Sequence, residues 1–222
     1  MTVALIIPAY NATPTLSRLL EDAGIFFDPT HILVVDDGST DDTAEIARQS
    51  GVTVLCHESN CGKGAALRTG FRWALDHGYQ AVMTMDADGQ HACREIPLFL
   101  EAAEHPDTDI VLGSRMDDPG GMPWQRRLSN RLTSRILSWR TGRQIQDSQS
   151  GFRLIKTKVL VGITLETNRF QAESELLIKA GLQGYRIDSV PITSIYAARS
   201  SAIRPFADTW RFVALVVRSL GW

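Results

Sequence analysis

The sequence predicts an α/β domain: a mostly parallel, twisted central sheet flanked by helices. Three observations predict it. Short continuous apolar runs recur through the first half, of the kind found in strands covered on both faces. Segments of helical periodicity separate them, which is the alternation that builds parallel βαβ units. Most of the runs end in or just before a polar cluster, and in such sheets ligands bind outside the carboxyl ends of the strands. With 222 residues, 44% hydrophobic and 22% charged, the chain suits one domain with a large core.

The elements follow in order. Val3–Ile7 is the first apolar run, and Asn11 or Thr13 can cap a helix reaching about Ala23. His31–Val35 is the second run, ended by Asp36-Asp37-Gly38-Ser39. Ser39 or Thr40 can cap the next helix, with Asp41 and Asp42 in its first turn, where carboxylates suit the helix dipole. Val52–Cys56 is the third strand, residues 63–77 a helix stopped by Gly78, and Ala81–Met85 the fourth strand. A helix around 94–104 leads to a fifth strand at Ile110–Leu112. Beyond a loop at 117–123, the pattern gives a basic helix over 124–140, a strand at 151–156, a helix at 171–182 and one or two strands within 185–196. An amphipathic helix covers about 203–220.

Composition excludes several classes. A net charge of −2 gives no basic surplus for nucleic acid. Three cysteines, Cys56, Cys61 and Cys93, none in CxxC spacing, argue against a disulfide framework or a structural zinc site and fit a reducing cytosol. The first ten residues lack a basic segment and read as a core strand rather than a signal peptide. No window reaches the ~18–20 apolar residues that cross a bilayer.

The sharpest chemical signal is Asp86-Ala87-Asp88. Two carboxylates one residue apart at a strand's end repel each other unless a divalent cation lies between them. Gln90 can add a neutral oxygen, and an all-oxygen set suits magnesium or manganese. The plainer reading is a solvated acidic turn. Asp36-Asp37-Gly38-Ser39 has the form of a nucleotide-binding turn and equally of a helix start. Gly62-Lys63-Gly64 can hold a backbone turn near a phosphate, but the Walker pattern is absent, as is a GxGxxG after the first strand. Arginines crowd residues 115–153, and Arg115 follows the fifth strand, so it should face the same cleft as the Asp pair. His91 lies just past that pair. The other histidines, His57 among them, read as surface or satisfied core groups. No zinc-protease or nucleophile-elbow pattern is present.

Seven segments in order carry a resemblance that spans nearly the whole chain. They are Ile6–Asn11, Val34–Asp41, Asn60–Ala66, Met85–His91, Gly113–Arg115, Asp147–Arg153 and Val190–Ile192. Together they resemble the family-two glycosyltransferases, which have the Rossmann-like GT-A fold. The branch most resembled is that of dolichol-phosphate mannose synthase and the bacterial polyprenyl-phosphate glycosyltransferases, chiefly through Asp147-Ser148-Gln149-Ser150-Gly151-Phe152-Arg153.

The resemblance implies one domain over 1–222, with a nucleotide-sugar-binding half at 1–115, an acceptor-binding half at 116–202 and the C-terminal helix at 203–222. It implies that Pro8, Tyr10, Asn11 and Asp37 line the nucleotide pocket, with Lys63, Asp86 and Ala87 along the donor. Asp86, Asp88 and Gln90 would hold Mg2+ or Mn2+. Arg115 and Arg127 would lie near the phosphates, although Arg126 or Arg131 could replace Arg127. Ser150, Arg153 and Arg199 would meet the acceptor or the diphosphate. Ala12 departs from the family, which often has an acidic residue there, and this leaves the base open.

The implied reaction is inverting transfer from a nucleoside-diphosphate sugar, most naturally onto a polyprenyl phosphate. A soluble enzyme acting on a saccharide hydroxyl and a non-catalytic binding module are the alternatives. A hydroxyl acceptor needs a general base, for which Asp147 is the candidate with Glu173 behind it. Asp147 can instead simply cap a turn. The C-terminal helix, with Trp210, Phe212, Leu215, Val216, Leu220 and Trp222 beside Arg211 and Arg218, can lie on a membrane surface. The expected location is cytoplasmic, at most peripheral on the membrane.

Overall fold

The computed structural model describes residues 1–116, 122–193, 195 and 205–222, and the side chains of these except 205–208. Seven strands form one sheet in the order β3-β2-β1-β4-β6-β5-β7. The strands are β1 Val3–Ala9, β2 Ile32–Asp36, β3 Thr53–Cys56, β4 Ala81–Thr84, β5 Ile110–Ser114, β6 Arg153–Lys156 and β7 Ile187–Pro191. All neighbouring pairs run parallel except those made by β6, which is antiparallel to β4 and β5. The mostly parallel sheet flanked by helices is therefore present.

Alternation along β1 shows how both faces are covered. Val3, Leu5 and Ile7 join one apolar cluster, with Leu16 and Leu20 of α1 (Thr13–Ala23) and Ile96 and Phe99 of α4 (Ile96–Glu104). Ala4 and Ile6 join the other, with Leu67 and Phe71 of α3 (Lys63–Asp76), Leu137 of α5 (Trp124–Thr141) and Leu176 and Leu177 of α7 (Gln171–Leu182). Successive strand residues point to opposite faces, so a run buried on both faces must be apolar at every position. Each of these larger side chains contributes about 1.5–3 kcal/mol on burial.

One boundary and one added helix depart from the sequence pattern. α2 is Thr43–Gln49, starting after Asp42 rather than after Ser39 or Thr40. Those two residues are held by the neighbouring loop instead: the Asn11 amide donates to Ser39 Oγ at 2.9 Å, and the Thr40 amide donates to Asn11 Oδ1 at 2.9 Å. A short helix, α6 (Thr157–Gly162), follows β6, where the sequence suggested none. The 185–196 region yields the single strand β7 among the described residues. The terminal helix α8 spans Pro205–Ser219.

Candidate active site

The carboxyl ends of β1, β2, β4 and β5 share one edge of the sheet, and this is where the polar clusters stand. The antiparallel β6 brings its amino end to that edge: Arg153 is in register with Thr84 of β4 and Leu112 of β5. The segment 147–152 before it therefore enters the same cleft. Strand direction was not legible in the sequence, and it is what brings Gly151 to Asp86 and Asp147 to Arg115 at this edge.

Asn11 is the one non-glycine at positive φ among the described residues, at 50°, a conformation that asparagine tolerates. Its bonds to Ser39 and Thr40 staple the loop after β1 to the loop after β2. Tyr10 is exposed and Pro8 partly so. Asp37 is buried, and its carboxylate gathers the turn before α3. Its Oδ2 accepts the Gly62 amide at 2.7 Å, while Oδ1 accepts the Cys61 amide at 3.0 Å and lies 2.7 Å from His57 Nδ1. Gly38 lies against this turn at φ 71°, and a Cβ there would sit 2.5 Å from the Ser59 carbonyl carbon.

The turn delivers Lys63 to two carboxylates, Asp86 Oδ1 at 2.6 Å and Glu173 Oε2 at 2.9 Å. Burial works against every charge here. The Lys63 ammonium and His91 outweigh it at Asp86, which is held far below the usual carboxylate range. The two carboxylates likewise outweigh burial at Lys63 and raise its pKa. Asp88 goes the other way: burial, then the charge of Asp86, pushes its carboxyl up. Its Oδ1 accepts the Gln90 amide at 3.0 Å. His91 is buried, with Nε2 3.9 Å from Asp86 Oδ2 and Nδ1 lacking a hydrogen-bond partner among the described residues. Ala87 is buried, and its carbonyl accepts the Thr15 hydroxyl at 2.6 Å. Asp86, Asp88 and Gln90 offer hard oxygen donors in one turn, a type that fits a magnesium or manganese ion.

Gly151 packs against this centre. A Cβ at that position would stand 2.4 Å from Asp86 Oδ2. Gly151→Ala is accordingly expected to push the Asp86 carboxylate off Lys63 and reduce activity at least about tenfold, the order of effect that small misplacements at a reacting centre produce. Steady-state rates alongside a melting curve check this; unchanged kinetics would show that Asp86 can yield.

On the other side of the cleft, Arg115 grips Asp147. Nε donates to Oδ2 at 2.7 Å, Nη2 to Oδ1 at 2.9 Å and the Arg115 amide to Oδ2 at 3.1 Å. Asn130 Nδ2 and the Gln149 amide also donate to Oδ1, at 2.6 and 3.2 Å. Asp147 is 0% exposed. Burial opposes its charge, but the Arg115 guanidinium dominates and holds the carboxyl below its usual range. α5 supports the clamp, because Ser134 Oγ donates to Asn130 Oδ1 at 3.1 Å and accepts the Ser148 amide at 2.9 Å.

The remaining expected residues are placed as follows. Ser150 is fully buried, and Arg153 is 1% exposed. The Arg153 guanidinium donates to the carbonyls of Ser150 at 2.7 Å, Ser148 at 2.8 Å and Glu173 at 3.0 Å. Arg127 lies on the first turns of α5, with Nε buried and lacking a hydrogen-bond partner among the described residues. Arg199 lies outside the described residues. Sequence reasoning did not foresee Glu173 as the second partner of Lys63. Its signal was the acidic residue in the first turn of a helix whose start packs on Gly64.

A family model described as "Glycosyl transferase family 2" matches residues 4–163. The chain is 33% identical over 201 residues to the polyprenol monophosphomannose synthase of Mycolicibacterium smegmatis, covering 85% of this chain and 75% of that protein. It is 31% identical over 222 residues to the UDP-N-acetylglucosamine–dolichyl-phosphate N-acetylglucosaminyltransferase of Methanococcus voltae, covering 90% and 88%. Among solved structures, glucosyl-3-phosphoglycerate synthase from Mycobacterium tuberculosis, in complex with Mn2+, UDP-glucose and phosphoglyceric acid, superposes with a TM-score of 0.75 at 22% identity, covering 99% of this chain and 80% of that one. At that identity the likeness shows the fold, which is the GT-A fold.

Proposed function

The chain belongs to glycosyl transferase family 2, and from that premise we propose that it transfers a sugar, with inversion, from a nucleoside diphosphate to a polyprenyl-type lipid phosphate. Asp86, Asp88 and Gln90 would hold Mg2+ or Mn2+. Such an ion, when bound, supplies positive charge against the departing diphosphate. Pro8, Tyr10, Asn11 and Asp37 would border the nucleoside, and Lys63 would orient Asp86. A lipid phosphate is already ionised, so its attack needs no general base. That agrees with an Asp147 whose oxygens are all engaged inside the protein. We assign Asp147 as the positioning residue for Arg115, and Arg153 with Ser150 as the strut beneath Gly151. Arg115 and Arg127 would orient the phosphates.

The observation that carries the lipid acceptor is the two-sidedness of α5. Its inner face supplies Asn130 to the Arg115–Asp147 clamp. Its outer face exposes Trp124, Leu128, Leu132 and Trp139, each at least 59% accessible. These residues are spaced four, four and seven apart and share one stripe. The helix carries Arg126, Arg127, Arg131, Arg135 and Arg140 and no acidic residue. An apolar stripe with aromatic residues and arginines suits an anionic bilayer surface. α8 adds exposed Trp210, Val213 and Val217, with Leu220 just past its end, and Arg140 of α5 donates to Ser219 Oγ at 3.2 Å, so the two helices adjoin. No described helix is long and apolar enough to cross a membrane. The names of both relatives above point to the same acceptor class.

The test pairs flotation with transfer. Wild type should float with anionic vesicles and glycosylate polyprenyl phosphate in them. The double variant Leu128→Glu, Leu132→Glu should lose flotation and at least about tenfold in that rate, since each apolar residue contributes about 1.5–3 kcal/mol on burial. It should keep its rate on a short, water-dispersed lipid phosphate. Efficient transfer to a saccharide hydroxyl, with none to lipid phosphate, would overturn the reading.

A further inference from the structure

The fold brings together a cluster that the acidic pair does not use. Asp37 follows β2, His57 follows β3 and Cys61 lies in the turn before α3. One ligating atom from each, the carboxylate oxygen, an imidazole nitrogen and Sγ, lies within 4.8 Å of the other two. His57 Nδ1 is 2.7 Å from Asp37 Oδ1, and His57 Nε2 is 2.9 Å from Thr69 Oγ1. Cys61 is exposed, and its thiol donates to the Ser59 carbonyl at 3.3 Å.

We propose that Asp37, His57 and Cys61 bind a second divalent cation, of zinc type, separate from the ion at Asp86 and Asp88. Sulfur, imidazole nitrogen and one carboxylate oxygen are a zinc donor set, and three protein ligands leave a fourth tetrahedral position for water. Thiolate and imidazole disfavour magnesium and manganese, so the two sites select different ions. A metal-bound histidine usually has a hydrogen-bond partner on its other nitrogen, and Thr69 already supplies one at Nε2. Binding needs a small spreading of the His57–Asp37 contact and a turn of the exposed Cys61 side chain. The Cys61 thiol proton leaves to solvent as the S–metal bond forms. CxxC spacing gave no hint of the site, because its ligands come from three separate segments.

Occupancy of this site has a consequence for the donor. An ion there takes up Asp37, so it opposes donor binding. That consequence rests on the proposed place of Asp37 beside the nucleoside; the cation site itself does not.

Cadmium, a spectroscopically visible stand-in for zinc, tests the proposal in the whole chain with magnesium in excess. Wild type should develop an ultraviolet sulfur-to-cadmium band that saturates at one equivalent. The band should vanish in Cys61→Ser and persist in Cys56→Ser and Asp88→Ala. His57→Gln, which can keep a hydrogen bond to Asp37, should weaken binding about tenfold or more, at least as much as loss of an outer partner of a metal ligand does. A band that survives Cys61→Ser, that depends on Cys56, or that is indifferent to His57→Gln would overturn the site, as would the absence of any band. Cadmium should also reduce the donor-induced thermal shift in wild type and not in Cys61→Ser; an undiminished shift would overturn the antagonism. If no donor binds at all, the proposed function fails while the cadmium band stands.

Discussion

Asp88→Ala should lower sugar transfer by about 10²–10³-fold while leaving the melting temperature unchanged or slightly raised. The loss follows from removing half of the carboxylate pair that would hold the ion. A metal ion contributes several kcal/mol of charge stabilisation in the transition state, and each 1.4 kcal/mol is about tenfold in rate. The tolerance of the fold follows from where Asp88 sits. It is exposed, and its hydrogen bond is to the amide of Gln90 within its own turn. The partial loss of water in the cleft and the charge of Asp86 press its carboxyl toward the neutral form, so its removal relieves repulsion. Functional sites commonly hold such a cost in stability. Measuring kcat/KM and the melting temperature on one preparation checks both parts. A variant that keeps activity within about threefold would deny Asp88 a part in the chemistry.

The opposite profile is expected at Asp147. Asp147→Ala should cost about 3–5 kcal/mol of stability, because it removes the fully buried carboxylate that accepts from Arg115, Asn130 and the Gln149 amide. For a chain of this size that lowers the melting temperature by on the order of 10 °C. The pH dependence has a definite sign. The Asp147 carboxyl is held below its ordinary range, chiefly by Arg115 against the opposing effect of burial. A carboxylate of that kind stabilises the fold above its unfolded pKa, and the contribution is lost as pH falls through the folded one. Wild type should therefore lose stability on acidification below the ordinary carboxylate range, and Asp147→Ala should lose correspondingly less there. Activity should fall as well, through Arg115, on lipid-phosphate and hydroxyl acceptors alike. Denaturant unfolding at neutral and acid pH measures this. A variant as stable as wild type, inactive only toward hydroxyl acceptors, would return Asp147 to the role of base.

Much of this was legible in the sequence, for definite physical reasons. β1, β2 and β4 read directly as strands because a doubly covered strand must be apolar throughout, and the acidic turns at their ends could face only the carboxyl edge. α7 appeared at 171–182 as the pattern indicated. The parts that were not legible depend on tertiary partners. The start of α2 moved because Asn11, from another loop, holds Ser39 and Thr40. Nothing local announces that β6 runs antiparallel, yet its direction decides that Gly151 reaches Asp86 and that Asp147 reaches Arg115. The resemblance implied Arg153 as an acceptor or phosphate ligand; its burial among the carbonyls of Ser148, Ser150 and Glu173 is a property of the folded loop. The gathering of Asp37, His57 and Cys61 belongs to the same kind.

The central claim is that the cleft between Lys63, Asp86 and Asp88 holds a nucleoside-diphosphate sugar together with a divalent ion. The most direct measurement is a thermal-shift panel of UDP-, GDP- and dTDP-sugars, each with and without manganese or magnesium, on wild type and Asp88→Ala. A ligand that binds only the folded state raises the melting temperature, by about 2.7 kcal/mol of added stability at a hundred times its Kd. The account predicts a rise with one nucleotide, dependent on the metal and lost in Asp88→Ala. No rise with any donor, or a rise indifferent both to metal and to Asp88→Ala, would contradict it.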